Sequence, residues 1–213
     1  MSAAFDARPI IGAIAGPNGA GKSTFYHAHL SALAVRFVNA DDLAREIDID
    51  ATEAGGLATE LRKTLVELGE SFVFETVFSD PVGDEVEFLR AATERGYTVV
   101  VCFIGIPSVA VSDERVAMRV LQGGHDVPAD KIIARYPRTL VNLERAVHAL
   151  PHVLVFDNSD LSRPFRKVAE FCDGAAVAMV DPLPAWLARW CETGVEATPR
   201  SVSVPTGDAR RGA

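Results

Sequence analysis

Apolar residues in this chain fall into short, unbroken runs. Five of these runs have the length of a strand and are rich in Val, Ile and Phe: 10–15, 35–38, 71–74, 98–106 and 153–156. Runs without polar alternation are typical of strands that are buried on both faces of a parallel sheet. The pattern therefore predicts an α/β protein built around a five-stranded parallel sheet.

Helical spacing is found in the segments between these runs. Leucines recur on one stripe of residues 58–68, and Gly96 closes a second segment, 86–95. Residues 23–33 contain neither Pro nor Gly and can also form a helix. Parallel strands need crossovers of this kind, and the crossovers usually carry a helix.

A helical flap is predicted beyond the fourth strand, at about 112–138. Residues 112–121 can form a helix that stops at Gly123-Gly124, and Pro128 and Pro137 each suit the first turn of a further helix.

The end of the chain differs in composition from the rest. A sixth apolar run, 175–180, precedes a short amphipathic segment with two Trp residues, and from residue 192 onward the chain is rich in Thr, Ser, Pro, Gly and Arg. We therefore predict a single domain over 1–191 and a disordered tail over 192–213.

Composition excludes several classes of protein. The formal net charge is −8, and no block of Lys and Arg stands out that could follow a polynucleotide backbone, so nucleic acid is not expected as a partner. The three cysteines form no C-x-x-C pair, which suits a reducing compartment and argues against a metal site built on cysteine. No apolar stretch has the length of a membrane span, and the first residues do not read as a signal sequence. We expect a soluble, cytoplasmic protein without a membrane partner.

One motif points directly to a ligand. Directly after the first strand the chain matches G-x-x-x-x-G-K-[ST] with Gly16, Pro17, Asn18, Gly19, Ala20, Gly21, Lys22, Ser23 and Thr24. In such a P-loop the backbone N–H groups surround phosphates, the lysine reaches the β- and γ-phosphates, and the hydroxyl after it takes a place on Mg²⁺. The motif predicts ATP and Mg²⁺ as cofactors, with Lys22 on the phosphates and Ser23 on the metal.

The same motif occurs in transport ATPases of the ABC type, which also need a signature motif and a strand that ends in Asp-Glu. This chain has Gln122-Gly123-Gly124 and Asp157-Asn158 at the corresponding places, which argues against that class. A small-molecule kinase instead needs a carboxylate near the P-loop, which accepts the proton of the attacking hydroxyl.

Two carboxylates are candidates for the acceptor side of such a site. Asp41 follows the second strand, and Glu75 ends the third, so both are expected at the carboxyl edge of the sheet, where open α/β sheets bind ligands. Asp41 can serve as the general base or as the cap of the following helix. Glu75 can contact the acceptor, reach Mg²⁺ through water, or pair with an arginine of the flap.

Basic residues of the flap are candidates for contacts with phosphate. Arg115 and Arg119 share one helix face, and Lys131, Arg135 and Arg138 follow. Guanidinium groups that close over a triphosphate stabilise the charge of the transferred group. The alternative for each arginine is an exposed helix face with neighbouring acidic residues.

Taken together, these segments resemble the zeta toxin family of P-loop kinases, in its short branch. The strings that carry the resemblance are GPNGAGKST, VNADDLA, FETVFSD, RVAMRVLQGGHDVPADKIIARYPRTLVNL and VFDNS, between residues 10 and 159. Zeta toxins phosphorylate a sugar hydroxyl of UDP-N-acetylglucosamine with ATP, and a small helical antitoxin neutralises them. The resemblance implies a nucleotide-kinase-like, three-layer P-loop fold with strand order 2-3-1-4-5.

The resemblance also implies roles for individual residues. Asp41 would be the base, Glu75 would contact the acceptor, and Arg119 and Arg135 would clamp the phosphates, while Lys22 and Ser23 hold ATP and Mg²⁺. Thr76, at a position where the family has Gly, is expected beside the acceptor, and we expect Arg115 to contact the nucleotide. Two alternatives stay open: a kinase for another metabolite or nucleotide, and a non-catalytic nucleotide-dependent switch.

Overall fold

In the computed structural model a seven-stranded sheet forms the centre of the molecule, with strand order β2-β3-β1-β4-β5-β6-β7. The structure describes residues 3–124 and 126–194. The strands are β1 (Ile10–Ala15), β2 (Arg36–Val38), β3 (Phe72–Thr76), β4 (Thr98–Gly105), β5 (His152–Asp157), β6 (Arg166–Cys172) and β7 (Ala175–Met179). The first five pair in parallel, which confirms the predicted order 2-3-1-4-5.

The predicted number of strands was too low, because two antiparallel strands extend the sheet beyond β5. β6 pairs with β5, and β7 pairs with β6. The run predicted at 175–180 forms β7, whereas β6 was missed. The β6 sequence, RKVAEFC, contains three charged residues, as a strand near a sheet edge can, and so lacks the apolar run used to find the others.

Helices cover the sheet on both faces. They are α1 (Lys22–Phe25), α2 (Ala40–Ile47), α3 (Ala51–Glu67), α4 (Asp84–Glu94), α5 (Val109–Leu121), α6 (Ala129–Ala149) and α7 (Ala185–Gly194). The helix predicted at 23–33 is irregular: α1 continues as a π-helix over Tyr26–Leu30 and a 3-10 helix over Ser31–Leu33. None of the helices among the described residues is long and apolar enough to span a membrane.

The flap consists of α5 and α6. Pro137 does not begin a new helix, as the sequence had suggested, but lies inside α6. Pro128 is the N-cap of that helix, as expected for a residue at its start.

Successive side chains of the central strands enter two separate cores. Ile11 and Ala13 of β1 belong to one apolar cluster, together with residues of α3, α4, α6 and α7. Ile10 and Ile14 belong to the other, with Phe25 of α1. Burial of one such large side chain contributes about 1.5–3 kcal/mol, so the two filled faces both stabilise the central strands.

Helix α7 ends at Gly194, so residues 192–194 of the predicted tail are helical. The rest of that predicted tail, 195–213, lies outside the described residues.

Candidate functional site

A cavity of about 700 Å³ opens at the carboxyl edge of the sheet, between the P-loop, α2, α3, β3 and the flap. We call it the P-loop cavity. Its basic lining residues are Lys22, Arg62, Arg115, Arg119, Lys131 and Arg135, and its acidic ones are Asp41, Glu75, Asp80, Glu85 and Asp126. The cavity therefore brings together Lys22, Asp41, Glu75 and the flap arginines that the sequence had suggested.

The P-loop takes a backbone shape that requires glycine. Gly16 has φ 143°, and a Cβ atom there would lie 2.3 Å from the carbonyl oxygen of Ile104. Gly21 has φ 88°, and a Cβ atom there would lie 2.9 Å from Nδ2 of Asn158. Positive φ at these positions turns the chain tightly between β1 and α1, as a phosphate-binding loop needs.

Two polar side chains from other elements fix the P-loop in place. The hydroxyl of Ser112, on α5, donates a hydrogen bond to the Asn18 carbonyl at 2.7 Å. Asn158, directly after β5, donates from Nδ2 to the Ala20 carbonyl at 2.9 Å. Both side chains are buried, so their hydrogen bonds are shielded from water. This role could not be predicted from sequence, because the two acceptors are backbone carbonyls far away in the chain.

Lys22 is almost completely buried, with 6% of its surface exposed. Its ammonium group donates to the Pro17 carbonyl at 3.1 Å and lies 3.7 Å from Oε1 of Glu75. Burial lowers the pKa of Lys22, while the carboxylates of Glu75 and Asp41 act in the opposite direction. The buried lysine therefore lines the cavity directly beside the P-loop and Glu75.

Glu75 is held against the P-loop by three groups. Its Oε2 accepts hydrogen bonds from the Ser23 hydroxyl at 2.6 Å and from Nδ2 of Asn39 at 3.1 Å, and Lys22 lies beside its Oε1. The β1–β3 pairing accounts for this contact, because it places Ile14 opposite Glu75. Of the alternatives for Glu75, this geometry favours a place on the metal side of the site.

Asp41 lies on the first turn of α2 and does not cap that helix. Asn39 is the N-cap, and its side-chain oxygen accepts from the Asp41 amide at 2.8 Å. The Asp41 carboxylate, 51% exposed, lines the cavity and lies 3.9 Å from Nη1 of Arg119. The carboxylate is thus available for chemistry inside the cavity.

The flap places all three of the expected arginines on the cavity. Arg119 and Arg135 line the cavity, as does Arg115, whose Nη2 donates to the Ser159 carbonyl at 3.5 Å. Nη1 of Arg115 is buried and has no hydrogen-bond partner among the described residues. Burial lowers the pKa of Arg115. Arg138, by contrast, donates to the Ala134 carbonyl of its own helix at an exposed position.

Thr76 serves a different partner from the one suggested by its position. Its hydroxyl lies 2.6 and 2.8 Å from the two carboxylate oxygens of Glu85, and it accepts from the Phe78 amide at 2.9 Å. Glu85 also pairs with Nη1 of Arg62 at 3.2 Å, and the Arg62 guanidinium lies 4.6 Å from the centre of the Phe74 ring.

The donors present fit a magnesium nucleotide. Mg²⁺ prefers oxygen ligands and is usually held by one or two protein groups together with substrate phosphates. The Ser23 hydroxyl and the Glu75 carboxylate are adjacent oxygen groups of this kind. No cluster of three or more His, Cys, Asp or Glu that could hold a metal occurs within 3–124 and 126–194. The unpartnered Nη1 of Arg115 is a donor left over for an anion.

Comparison with known proteins adds an independent finding. The family model named "Zeta toxin" matches residues 2–168 of this chain. An uncharacterized protein of Haemophilus influenzae is 28% identical over 126 residues, which cover 57% of this chain and 88% of that protein.

Two solved structures show the same fold. One is the AvrRxo1-ORF1:-ORF2 crystal structure with ATP, with a TM-score of 0.60 at 17% identity, covering 96% of this chain and 68% of that one. The other is the PezAT chromosomal toxin-antitoxin system of Streptococcus pneumoniae, with a TM-score of 0.52 at 17% identity, covering 76% of this chain and 72% of that one.

Proposed function

Because the chain belongs to the zeta toxin family, we propose that it is a kinase that transfers the γ-phosphate of ATP to a hydroxyl group of UDP-N-acetylglucosamine or a related sugar nucleotide. The single observation that carries this proposal is the position of Asp41. Its carboxylate shares one cavity with Lys22 and Ser23, and the capping role that would otherwise explain an aspartate at a helix start belongs to Asn39.

The proposed step needs a base and a cation at opposite sides of the transferred group. Asp41 accepts the proton of the acceptor hydroxyl while the hydroxyl oxygen forms a bond to the γ-phosphorus. The bond from that phosphorus to the bridging oxygen breaks, and ADP leaves with its electron pair. Lys22 and the guanidinium groups of Arg119 and Arg135 offset the negative charge that is spread over the transferred group.

Arg119 has a second task in the proposed mechanism. It lies 3.9 Å from Asp41 before any substrate enters, so the ion pair holds the carboxylate beside the flap. When the triphosphate binds, the same guanidinium can turn to the phosphate and release the Asp41 carboxylate to the acceptor hydroxyl. Mg²⁺, bound with the nucleotide beside Ser23 and Glu75, would supply charge neutralisation on the phosphates.

The other end of the cavity is proposed to hold the acceptor. Arg62, Thr76 and Glu85 form a connected polar set there, on the β3 side of Asp41. A sugar nucleotide has hydroxyl and phosphate groups that such a set can bind. Thr76 supports this end through Glu85, rather than through the direct contact with the acceptor that its position had suggested.

A small antitoxin protein is proposed as a partner. The structures with this fold include a toxin-antitoxin system and a complex of two open-reading-frame products. Toxicity of this chain in cells is part of the same proposal, and growth arrest on expression is its simplest test.

The proposed activity is tested by incubating the protein with ATP, Mg²⁺ and a panel of acceptors, among them UDP-N-acetylglucosamine, other sugar nucleotides, nucleosides and free sugars. We expect phosphate on the sugar nucleotide, and we expect Asp41→Asn to lower turnover by about 10²–10⁴-fold because it removes the general base. Asp42→Asn is the matched control, since Asp42 lies next to Asp41 on α2 but pairs with Arg45 and does not line the cavity.

Each outcome separates one alternative. Transfer of phosphate to a different acceptor would correct the proposed substrate and leave the assignment as a kinase in place. Turnover that survives Asp41→Asn would remove Asp41 from the mechanism. Binding of ATP without transfer to any acceptor would favour the nucleotide-dependent switch.

A further inference from the structure

Asn39 lies between the two carboxylates of the proposed site and contacts the residues of both. It follows β2 directly, precedes α2, and only 7% of its surface is exposed. Its Oδ1 accepts from the Asp41 amide at 2.8 Å, and its Nδ2 donates to Oε2 of Glu75 at 3.1 Å. Only one orientation of the carboxamide satisfies both partners, because an amide N–H needs an acceptor and a carboxylate needs a donor.

The contact with Glu75 extends to the P-loop. The same Oε2 atom of Glu75 accepts from the Ser23 hydroxyl at 2.6 Å. Asn39 is therefore connected through Glu75 to Ser23, which is proposed to contact the metal, and it lies two residues before Asp41, the proposed base. A single buried side chain thus joins the start of α2 to the P-loop across β3.

Helix capping alone does not explain asparagine at this position. Ser, Asp and Asn cap helices about equally well. A serine here would keep the cap through its one oxygen but would lack the separate, longer-reaching amide donor to Glu75, and an aspartate would place a second negative charge against that carboxylate. The carboxamide is the side chain that caps the helix and binds the carboxylate at once.

We propose that Asn39 is a positioning residue that sets the distance between Asp41 and the Ser23–Glu75 pair. This inference rests on the proposed function, since those are the groups assigned to proton transfer and metal binding. With its cap, Asn39 fixes the backbone from which the Asp41 side chain reaches into the cavity. With its amide N–H, it fixes the Glu75 oxygen that faces Ser23.

The test is a double-mutant cycle with Asn39→Ser and Glu75→Ala. Asn39→Ser keeps the cap and removes the donor. We expect it to weaken Mg-ATP binding and to lower turnover by about tenfold each, the effect of losing one hydrogen bond to a charged group. In the Glu75→Ala background the same change should alter both quantities by less than about twofold, because its partner is already absent.

A matched exchange controls for the cap itself. Asp50 caps α3, through hydrogen bonds to the amides of Thr52 and Glu53, and does not line the cavity. Asp50→Ser should leave Mg-ATP affinity and turnover unchanged. Equal losses from Asn39→Ser with and without the Glu75 carboxylate would overturn the proposal, since a purely local effect at the helix start predicts them.

Urea unfolding of the four proteins in the cycle separates this inference from the proposed function. If the wild-type protein binds no Mg-ATP and transfers no phosphate, the kinase assignment fails. The coupling of Asn39 to Glu75 is then decided by the unfolding midpoints alone, where non-additive shifts support the link and additive shifts overturn it.

Discussion

The ammonium group of Lys22 has two carboxylates nearby, yet its pKa is lowered, because burial disfavours the charged form more than Glu75 and Asp41 favour it. A charge held under these conditions weakens the folded state of the protein without ligand. If Lys22 binds phosphate as proposed, its function is retained at a cost in stability.

Lys22→Met should therefore raise the melting temperature of the ligand-free protein at neutral pH, by a few degrees, since about 1 kcal/mol corresponds to roughly 2–4 °C for a chain of this size. Below its lowered pKa, Lys22 is charged in both the folded and the unfolded state, and the cost of burial is present in full. Above its ordinary pKa of 10.5 it is neutral in both states and the cost is absent. The advantage of the variant should hence shrink as the pH rises through that window, as seen by thermal unfolding over a pH series.

Lys63→Met is the control for this prediction, because Lys63 is largely exposed and pairs only with Glu60 of its own helix among the described ion pairs. It should leave the melting temperature nearly unchanged. A lower melting temperature for Lys22→Met would mean that the attraction to Glu75 outweighs burial.

The candidate site could be predicted from sequence as far as its residues follow strands. Asp41 and Glu75 were found because each comes at or just after a strand end, and the P-loop because its chemistry imposes a spacing. The roles within the site could not be predicted in the same way. Asn39, and not Asp41, caps α2, and the Thr76 hydroxyl donates to Glu85. Both outcomes depend on distances between elements, which the sequence pattern does not contain.

At the scale of elements, α6 connects the two ends of the cavity. Its first turns carry Lys131 and Arg135, while Asn142, further along, is fully buried and binds the loop after β3. Nδ2 of Asn142 donates to the carbonyls of Phe78 at 3.1 Å and Asp80 at 2.9 Å. Phe78 itself has φ 60°, an unfavourable value for a residue with a side chain, so the loop needs an external hold.

Asn142→Ala should destabilise the protein by about 3 kcal/mol, because it leaves buried backbone carbonyls without donors. Urea unfolding measures this loss, and hydrogen exchange of residues 77–83 should show faster opening than in the wild type. His148→Ala, at an exposed position of the same helix, should cost less than about 0.5 kcal/mol. A large loss without faster exchange in 77–83 would place the effect in the helix and not in the loop.

Helix α6 also shows where a sequence pattern fails to predict the structure. Proline inside a helix costs about 3 kcal/mol, which is why Pro137 suggested a helix start. In the structure α6 continues through it, because Ile132 before the proline and Leu143 after it are both buried. The Tyr136 carbonyl accepts from the Thr139 hydroxyl at 2.7 Å. Tertiary packing outweighs the local preference, whereas the parallel strands, whose apolar runs already reflect burial on both faces, were found from sequence alone.

At the scale of the whole molecule, the part of the chain beyond the family match completes the far side of the sheet. The match ends at residue 168, within β6, and leaves β7 and α7 outside. Trp186 of α7 donates from Nε1 to Oδ1 of Asp157 at 2.8 Å, at the end of β5 and next to Asn158, which holds the P-loop. Helix α7 is therefore linked to the P-loop through the buried hydrogen bond from Trp186 to Asp157 and through Asn158, the residue that follows Asp157.

Since every wall of the P-loop cavity belongs to a different element, a ligand that fills it should stabilise the whole fold and not one segment. At a Mg-ATP concentration of about 100 times the dissociation constant, mass action adds about 2.7 kcal/mol to the free energy of unfolding. For a chain of this size that corresponds to a rise in melting temperature of roughly 5–11 °C. Thermal unfolding with and without Mg-ATP measures the rise, and chelation of the metal should reduce it because the Ser23–Glu75 side then lacks its cation. Lys22→Met should abolish most of the rise while leaving the ligand-free protein folded, and an equal rise in this variant would contradict the placement of the phosphates at Lys22.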